Sequence, residues 1–172
     1  VIYIVAGVDK TGKTTLCDGL ANALNIPKFK STYELFSDIN LEEAIQHDWR
    51  FFIDVYNNLD NVDIIFDRSF ICQWVYSLTL RADNVFKQYH SIPEYNQIFK
   101  EYVKQLDGRV KYIFCYRDED WDIEDEIIES SSFKSLQNTY ESFFLIFNIT
   151  PIRCRFEDGI EYNLNKVIKE IK

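Results

Sequence analysis

Hydrophobic positions fall into two kinds of run along this chain. The first kind is short, lacks alternation and is rich in β-branched and aromatic residues: VIYIVA at 1–6, VDIIFD at 62–67 and VKYIFCY at 110–116. Without alternation, such runs predict central strands covered on both faces, as in a parallel sheet between helices. The second kind recurs every three or four residues. TTLCDGLANAL at 14–24 places Leu16, Leu20, Ala23 and Leu24 on one helical face, and LEEAIQHDWRFFIDVYNNL at 41–59 predicts a longer amphipathic helix. IPEYNQIFKEYVKQL at 92–106 opens with proline in its first turn, EDEIIESSSFKSLQNTYESFFLIF at 124–147 continues the pattern, and NLNKVIKEI at 163–171 closes it. Two further short strands are predicted at PKF and IRCRF. Strands alternating with helices predict an α/β fold: a doubly wound, mostly parallel five-stranded sheet with helices on both faces. No linker or repeat divides it, so residues 1–172 read as one domain.

Composition narrows the function. A 172-residue chain with 47% hydrophobic residues, 5 Gly and 3 Pro can close one proper core. The net charge of −9 argues against a surface that neutralises a nucleic acid backbone, so no stable nucleic-acid binding is expected. A small charged ligand needs only a local patch of Lys and Arg. Cys17, Cys72, Cys115 and Cys154 are scattered, with no paired spacing for zinc, and read as reduced structural thiols. No apolar run approaches the roughly 20 residues that span a bilayer, and the first residues lack a signal-peptide pattern. No membrane association is expected, and the location implied is cytoplasmic.

The chemistry begins at GVDKTGKTTL, residues 7–16. Gly7, Gly12, Lys13 and Thr14 satisfy G-x-x-x-x-G-K-[ST] between a predicted strand and a predicted helix, the context the motif requires. Its backbone N–H groups, those of Thr11 and Thr15 included, would cradle the phosphates of ATP; Lys13 would reach the β and γ groups, and Thr14 would ligate Mg²⁺. A chain of this length shows the pattern by accident in roughly one case in a hundred. Asp67 closes the second strand, at the same sheet edge as the loop, where a carboxylate can hold the water shell of Mg²⁺. Arg68 follows, placed to meet phosphates between donor and acceptor. Alone, Asp67 would read as a helix cap and Arg68 as a surface residue. Beside a phosphate loop the catalytic reading prevails.

Together, GVDKTGKTTL and the later DRSFICQWVY, residues 67–76, resemble the thymidylate kinases, a family of P-loop nucleotide kinases. In that family the loop Asp contacts the acceptor sugar, which implies Asp9 here. The Asp-Arg of the second motif falls on Asp67 and Arg68; Cys72 stands where the family has Ser, Tyr76 takes the aromatic place by the base, and Ser69 replaces a Tyr. The resemblance also bears on the transition-state cation. Many nucleotide kinases supply it from an arginine-rich lid, yet the short acidic lid expected around 117–132 carries a run of carboxylates, and from Asp118 to Ile152 the basic side chain is Lys134. One branch of the family places the cation in the loop instead, which implies Lys10, a Lys where that branch has Arg. Lys30 matches the residue that binds the acceptor phosphate; Arg50 and Phe51 resemble the helix that clamps that phosphate and stacks the base. Arg81 is another basic candidate, and Arg153 and Arg155 could border the donor's adenine.

The activity implied is a nucleoside monophosphate kinase using ATP and Mg²⁺, with thymidylate or another pyrimidine deoxynucleotide as the small-molecule acceptor. A homodimer is implied by the resemblance alone. The alternative is a deoxynucleoside kinase, which needs a base such as Glu34 to deprotonate a 5′-hydroxyl. A kinase acting on a modified nucleotide or base in DNA is a further alternative, against which the acidic balance speaks. A guanine-reading switch would need Asn-Lys-x-Asp, and none occurs.

Overall fold

The computed structural model describes residues 1–8, 10–30, 41–58, 60–72, 75, 104, 106, 108–118 and 130–172. Within them the order is β1 (Ile2–Gly7), α1 (Lys13–Leu24), β2 (Lys28–Lys30), α2 (Leu41–Asn58), β3 (Ile64–Asp67), β4 (Val110–Tyr116), α3 (Ser130–Ile146), β5 (Ile152–Arg155), a 3-10 turn (Phe156–Asp158) and α4 (Ile160–Ile171). The five strands form one sheet in the order β2-β3-β1-β4-β5, every pair parallel. The chain builds β2 and β3 on one side of β1, then crosses to β4 and β5 on the other. The carboxyl end of β1 is therefore a topological switch point, where open α/β sheets bind ligands.

Period-two alternation divides β1 between two cores. Ile2, Ile4 and Ala6 pack with Phe52 and Val55 of α2, Phe70 to Cys72, and Phe133, Leu136, Tyr140, Phe143 and Phe144 of α3. Tyr3 and Val5 face the other way, toward Leu16, Cys17 and Leu20 of α1 and Val167 of α4. Aromatic side chains fill much of this core: Phe52, Phe66, Phe70, Phe114, Phe133, Phe143, Phe144 and Tyr140 are all fully buried. Each such side chain contributes roughly 1.5–3 kcal/mol of burial free energy.

The three central strands, the five-stranded parallel sheet and the helices at 14–24 and 41–59 stand as expected, with small shifts. Cys17 rather than Ala23 completes the buried stripe of α1, because Ala23 turns to solvent. The last helix starts at Ile160, earlier than its apolar pattern indicated, since Gly159 at φ 86° ends the 3-10 turn and releases the chain into a new helix. The helix expected over 92–106 lies almost wholly outside the described residues, as does most of the acidic lid.

Candidate active site

The site is built around the end of β1. Gly7 has φ 147° and pairs in register with Cys115 of β4; a Cβ there would stand 2.2 Å from the Cys115 carbonyl oxygen. No side chain fits that position. The loop then passes Lys10 in the left-handed region (φ 63°) and enters α1 through Gly12 at φ 81°. The Thr11 hydroxyl and the Lys13 ammonium both donate to the Val8 carbonyl, each at 2.6 Å, and both side chains are buried. Lys13 is thus fixed at the centre of the curl. Among the described residues no side chain caps the start of α1 and its first turn holds no acid, so its leading N–H groups and positive dipole end suit an anion. Thr14 and Thr15 are exposed on that first turn.

Asp67 ends β3 directly beside this loop, in register with Val5 of β1 and Lys30 of β2. Its side chain is 1% exposed, and neither carboxylate oxygen has a hydrogen-bond partner among the described residues. A buried, unpartnered carboxylate costs several kcal/mol, on the order of the desolvation of one ion. Such a group fits a hard cation with its water shell, for which oxygen donors are the natural ligands. Its charge is felt nearby: burial first, and then Asp67, pushes the Cys17 thiol well above its ordinary range. Arg68 follows in the left-handed region (φ 68°), its N–H bonded to the Val5 carbonyl at 3.2 Å, and is half-buried. The Ser69 hydroxyl then accepts from the Ile71 N–H at 3.3 Å and caps the helical turn that begins at Phe70.

On the acceptor side, Lys30 lies half-buried at the sheet edge. Phe51 stacks on Phe29 with centroids 4.1 Å apart and meets Phe66 edge-on at 5.9 Å, so it serves packing at the border of the core. Arg50 is exposed on α2, whereas Asp48 of the same helix is buried, a position that the apolar spacing did not flag. Cys72 is buried in the core. Asp9, Tyr76, Arg81 and Glu34 lie outside the described residues.

On the opposite side of the loop, a cavity of about 240 Å³ opens between the start of α1 and the β5–α4 connection. Thr11, Gly12, Thr15, Phe156, Ile160 and Asn163 line it. The Asn163 side-chain amide donates to the Arg155 carbonyl at 2.8 Å, which leaves its buried oxygen without a hydrogen-bond partner among the described residues. The two arginines expected near this region are engaged elsewhere. Arg153 makes a two-pronged pair with Glu141 at 2.7 Å, and Arg155 pairs with Asp158 and Asp118 at 2.7 and 3.1 Å. Arg117, the residue that follows β4, reaches the loop instead: its Nη1 donates to the Lys10 carbonyl at 3.1 Å and its guanidinium lies 4.3 Å from the Phe156 ring centre. Sequence reading passed over both Arg117 and Asn163. The signal for Arg117 was its place just past a central strand, at the edge where ligands bind.

No protein-family model matches the chain, and no curated protein matches it in sequence. Solved structures do. The YorR protein of Bacillus subtilis, in complex with phosphorylated GDP, superposes with a TM-score of 0.69 at 18% identity over 99% of this chain and 95% of its own. Thymidylate kinase from Ehrlichia chaffeensis gives 0.66 at 12% identity, covering 100% of this chain and 98% of that one. Deoxyadenosine kinase from M. mycoides with bound dATP gives 0.63 at 14% identity, covering 99% of both chains. At such identities the likeness is one of fold: this chain has the P-loop kinase fold that thymidylate and deoxyadenosine kinases share.

Proposed function

We propose that this chain is an ATP-dependent phosphotransferase that moves the γ-phosphoryl group onto a nucleoside monophosphate, thymidylate or another pyrimidine deoxynucleotide. The observation that carries this reading is Asp67, buried beside the phosphate loop with both carboxylate oxygens unpartnered among the described residues. A fold gains nothing from burying such a group, whereas a Mg²⁺-nucleotide site requires one. The nucleotides held by the YorR protein and the deoxyadenosine kinase, which share the fold, agree with a nucleotide ligand.

In this reading the amides of residues 7–15 and the start of α1 grip the β and γ phosphates, with Lys13 at their centre. Thr14 and Asp67 would hold Mg²⁺, which when bound neutralises charge on the donor phosphates. The cavity between α1 and α4 takes the donor base, and the Asn163 oxygen, an acceptor, suits the exocyclic amino group of adenine. Lys10 supplies positive charge where negative charge develops on the transferring group, a part that the carboxylate-rich segment after Arg117 is unsuited to play. Lys30, Arg50 and Arg68 bind the acceptor phosphate, Asp9 its sugar and Tyr76 its base, while Phe51 and Cys72, packed into the core, would back that pocket from behind. An oxygen of the acceptor phosphate attacks the γ-phosphorus while the bond to the β–γ bridging oxygen breaks, releasing ADP. The nucleophile is already anionic, so positioning and charge neutralisation suffice without a protein base.

A panel of deoxynucleosides and their monophosphates, incubated with ATP and Mg²⁺ and separated by chromatography, tests the proposal. Diphosphates should form from the pyrimidine monophosphates. Phosphorylation of nucleosides with monophosphates left untouched would replace it with a nucleoside kinase.

A further inference from the structure

We infer that Arg117 is a positioning residue that holds the phosphate loop, and with it Lys10, in working geometry; this rests on the phosphotransferase reading above. Lys10 needs such support. It is exposed and occupies the left-handed region at φ 63°, a conformation that is unfavourable for a residue with a Cβ. Its carbonyl accepts from Arg117 Nη1 at 3.1 Å. The Lys10 carbonyl and the Thr11 N–H belong to one trans peptide plane and point in opposite directions. A donor that grips the carbonyl therefore holds the loop from the side opposite to the one on which the Thr11 N–H could meet a phosphate. Arg117 thus orients the loop and leaves the phosphate contacts to others.

Arg117 is itself tied down on several sides. The Gln137 side chain of α3 accepts from its backbone N–H at 2.9 Å and donates to its carbonyl at 2.8 Å. The face of Phe156 lies against its guanidinium. The next residue is pinned as well: the Asp118 N–H donates to Glu157 Oε1 at 3.1 Å, and the Asp118 carboxylate pairs with Arg155 at 3.1 Å. A route of direct contacts therefore runs from α3 through Gln137 and Arg117 to the Lys10 carbonyl. Because the backbone at Arg117 is held by its neighbours, placing the guanidinium costs little further ordering.

A double-mutant cycle on the full chain tests this, with turnover of the ATP γ-phosphate measured to a nucleotide acceptor and to water. Lys10→Gln removes the ammonium charge and keeps the length. With Lys10 present, Arg117→Ala should lower kcat about tenfold or more, with KM for ATP changed less than about threefold. In the Lys10→Gln background the same substitution should cost less than about threefold, because residues that act through one another are not additive. If Arg117→Ala fails to fold by circular dichroism, Gln137→Ala, which loosens Arg117 without touching the loop, should show the same coupling at smaller size. Equal losses in both backgrounds would mean that Arg117 acts on the phosphates directly. A change confined to KM would reduce it to a nucleotide-binding residue, and an unchanged kcat would leave it none; each of these overturns the inference. Absence of any γ-phosphate turnover in the unmodified chain would instead remove the phosphotransferase reading, and the inference with it.

Discussion

Asp67→Asn separates what a residue does for folding from what it does for chemistry. The carboxylate is 1% exposed, its two oxygens lack hydrogen bonds among the described residues, and no ion pair is formed by it there. Desolvating an unpaired ion costs several kcal/mol. The Lys13 ammonium, near enough that it and Asp67 both act on the Cys17 and Cys115 thiols, offsets part of that cost. Asparagine keeps the shape, removes the charge and still buries a polar amide, so the net relief should be about 1–2 kcal/mol. For a chain of this size, that raises Tm by roughly 2–8 °C. Urea denaturation followed by circular dichroism, at neutral pH without nucleotide, measures it directly. Turnover of MgATP should fall about a hundredfold or more, while binding of ATP without metal should barely change. Lower stability at an unchanged denaturant slope would refute the reasoning, because it would mean that the fold depends on the carboxylate. Retained turnover would dismiss Asp67 as the metal-facing group.

Three further outcomes are expected. Gly7→Ala should destabilise by about 3 kcal/mol or more, since its φ is unfavourable to a Cβ and the atom in the way is the Cys115 backbone oxygen, so β1 and β4 would have to part; a loss below about 1 kcal/mol in a denaturant titration would contradict the close approach. Burial raises the Cys17 and Cys115 thiols and pushes Cys154 up from 9.0 to about 12, so a thiol-specific reagent at pH 8 should leave these three untouched until the chain is unfolded. These folded thiols hold their protons where unfolded ones have lost them. Stability should accordingly decline from about pH 9 upward, by as much as roughly 1.4 kcal/mol per pH unit for each such group. The Cys154 contribution is gone by about pH 12. Unchanged stability across that window would show the thiols to be less enclosed.

Much of the fold was legible because its determinants are local. VIYIVA is an unbroken apolar run and VKYIFCY is broken only by Lys111, a pattern that suits a strand buried on both faces. Gly7 and Gly12 stand where the backbone needs room or a positive φ, so the loop could be read before its geometry was known. Asp67 was legible for a related reason, since it ends an apolar strand and its terminus falls at the ligand-binding edge. The finer parts of the site were not. Phe51 resembled a base-stacking residue although an aromatic so placed on a helix more often fills the core, and its partner Phe29 comes from a strand of three residues earlier in the chain. Arg153 and Arg155 carried the right charge for a ligand, yet Glu141, Asp118 and Asp158 meet them first.

By itself the sequence determined the strand and helix pattern, the phosphate loop and the acid that faces it, because periodicity, glycine conformational freedom and strand polarity act over a few residues. Only the tertiary structure decided that β3 and β4 flank β1, and with that which side chains share its edge. Arg117 reaches Lys10, and Asn163 lines a cavity with Thr11, because parallel crossovers bring carboxyl ends together from distant parts of the chain. Contacts of that kind depend on strand order and packing, which no local pattern encodes.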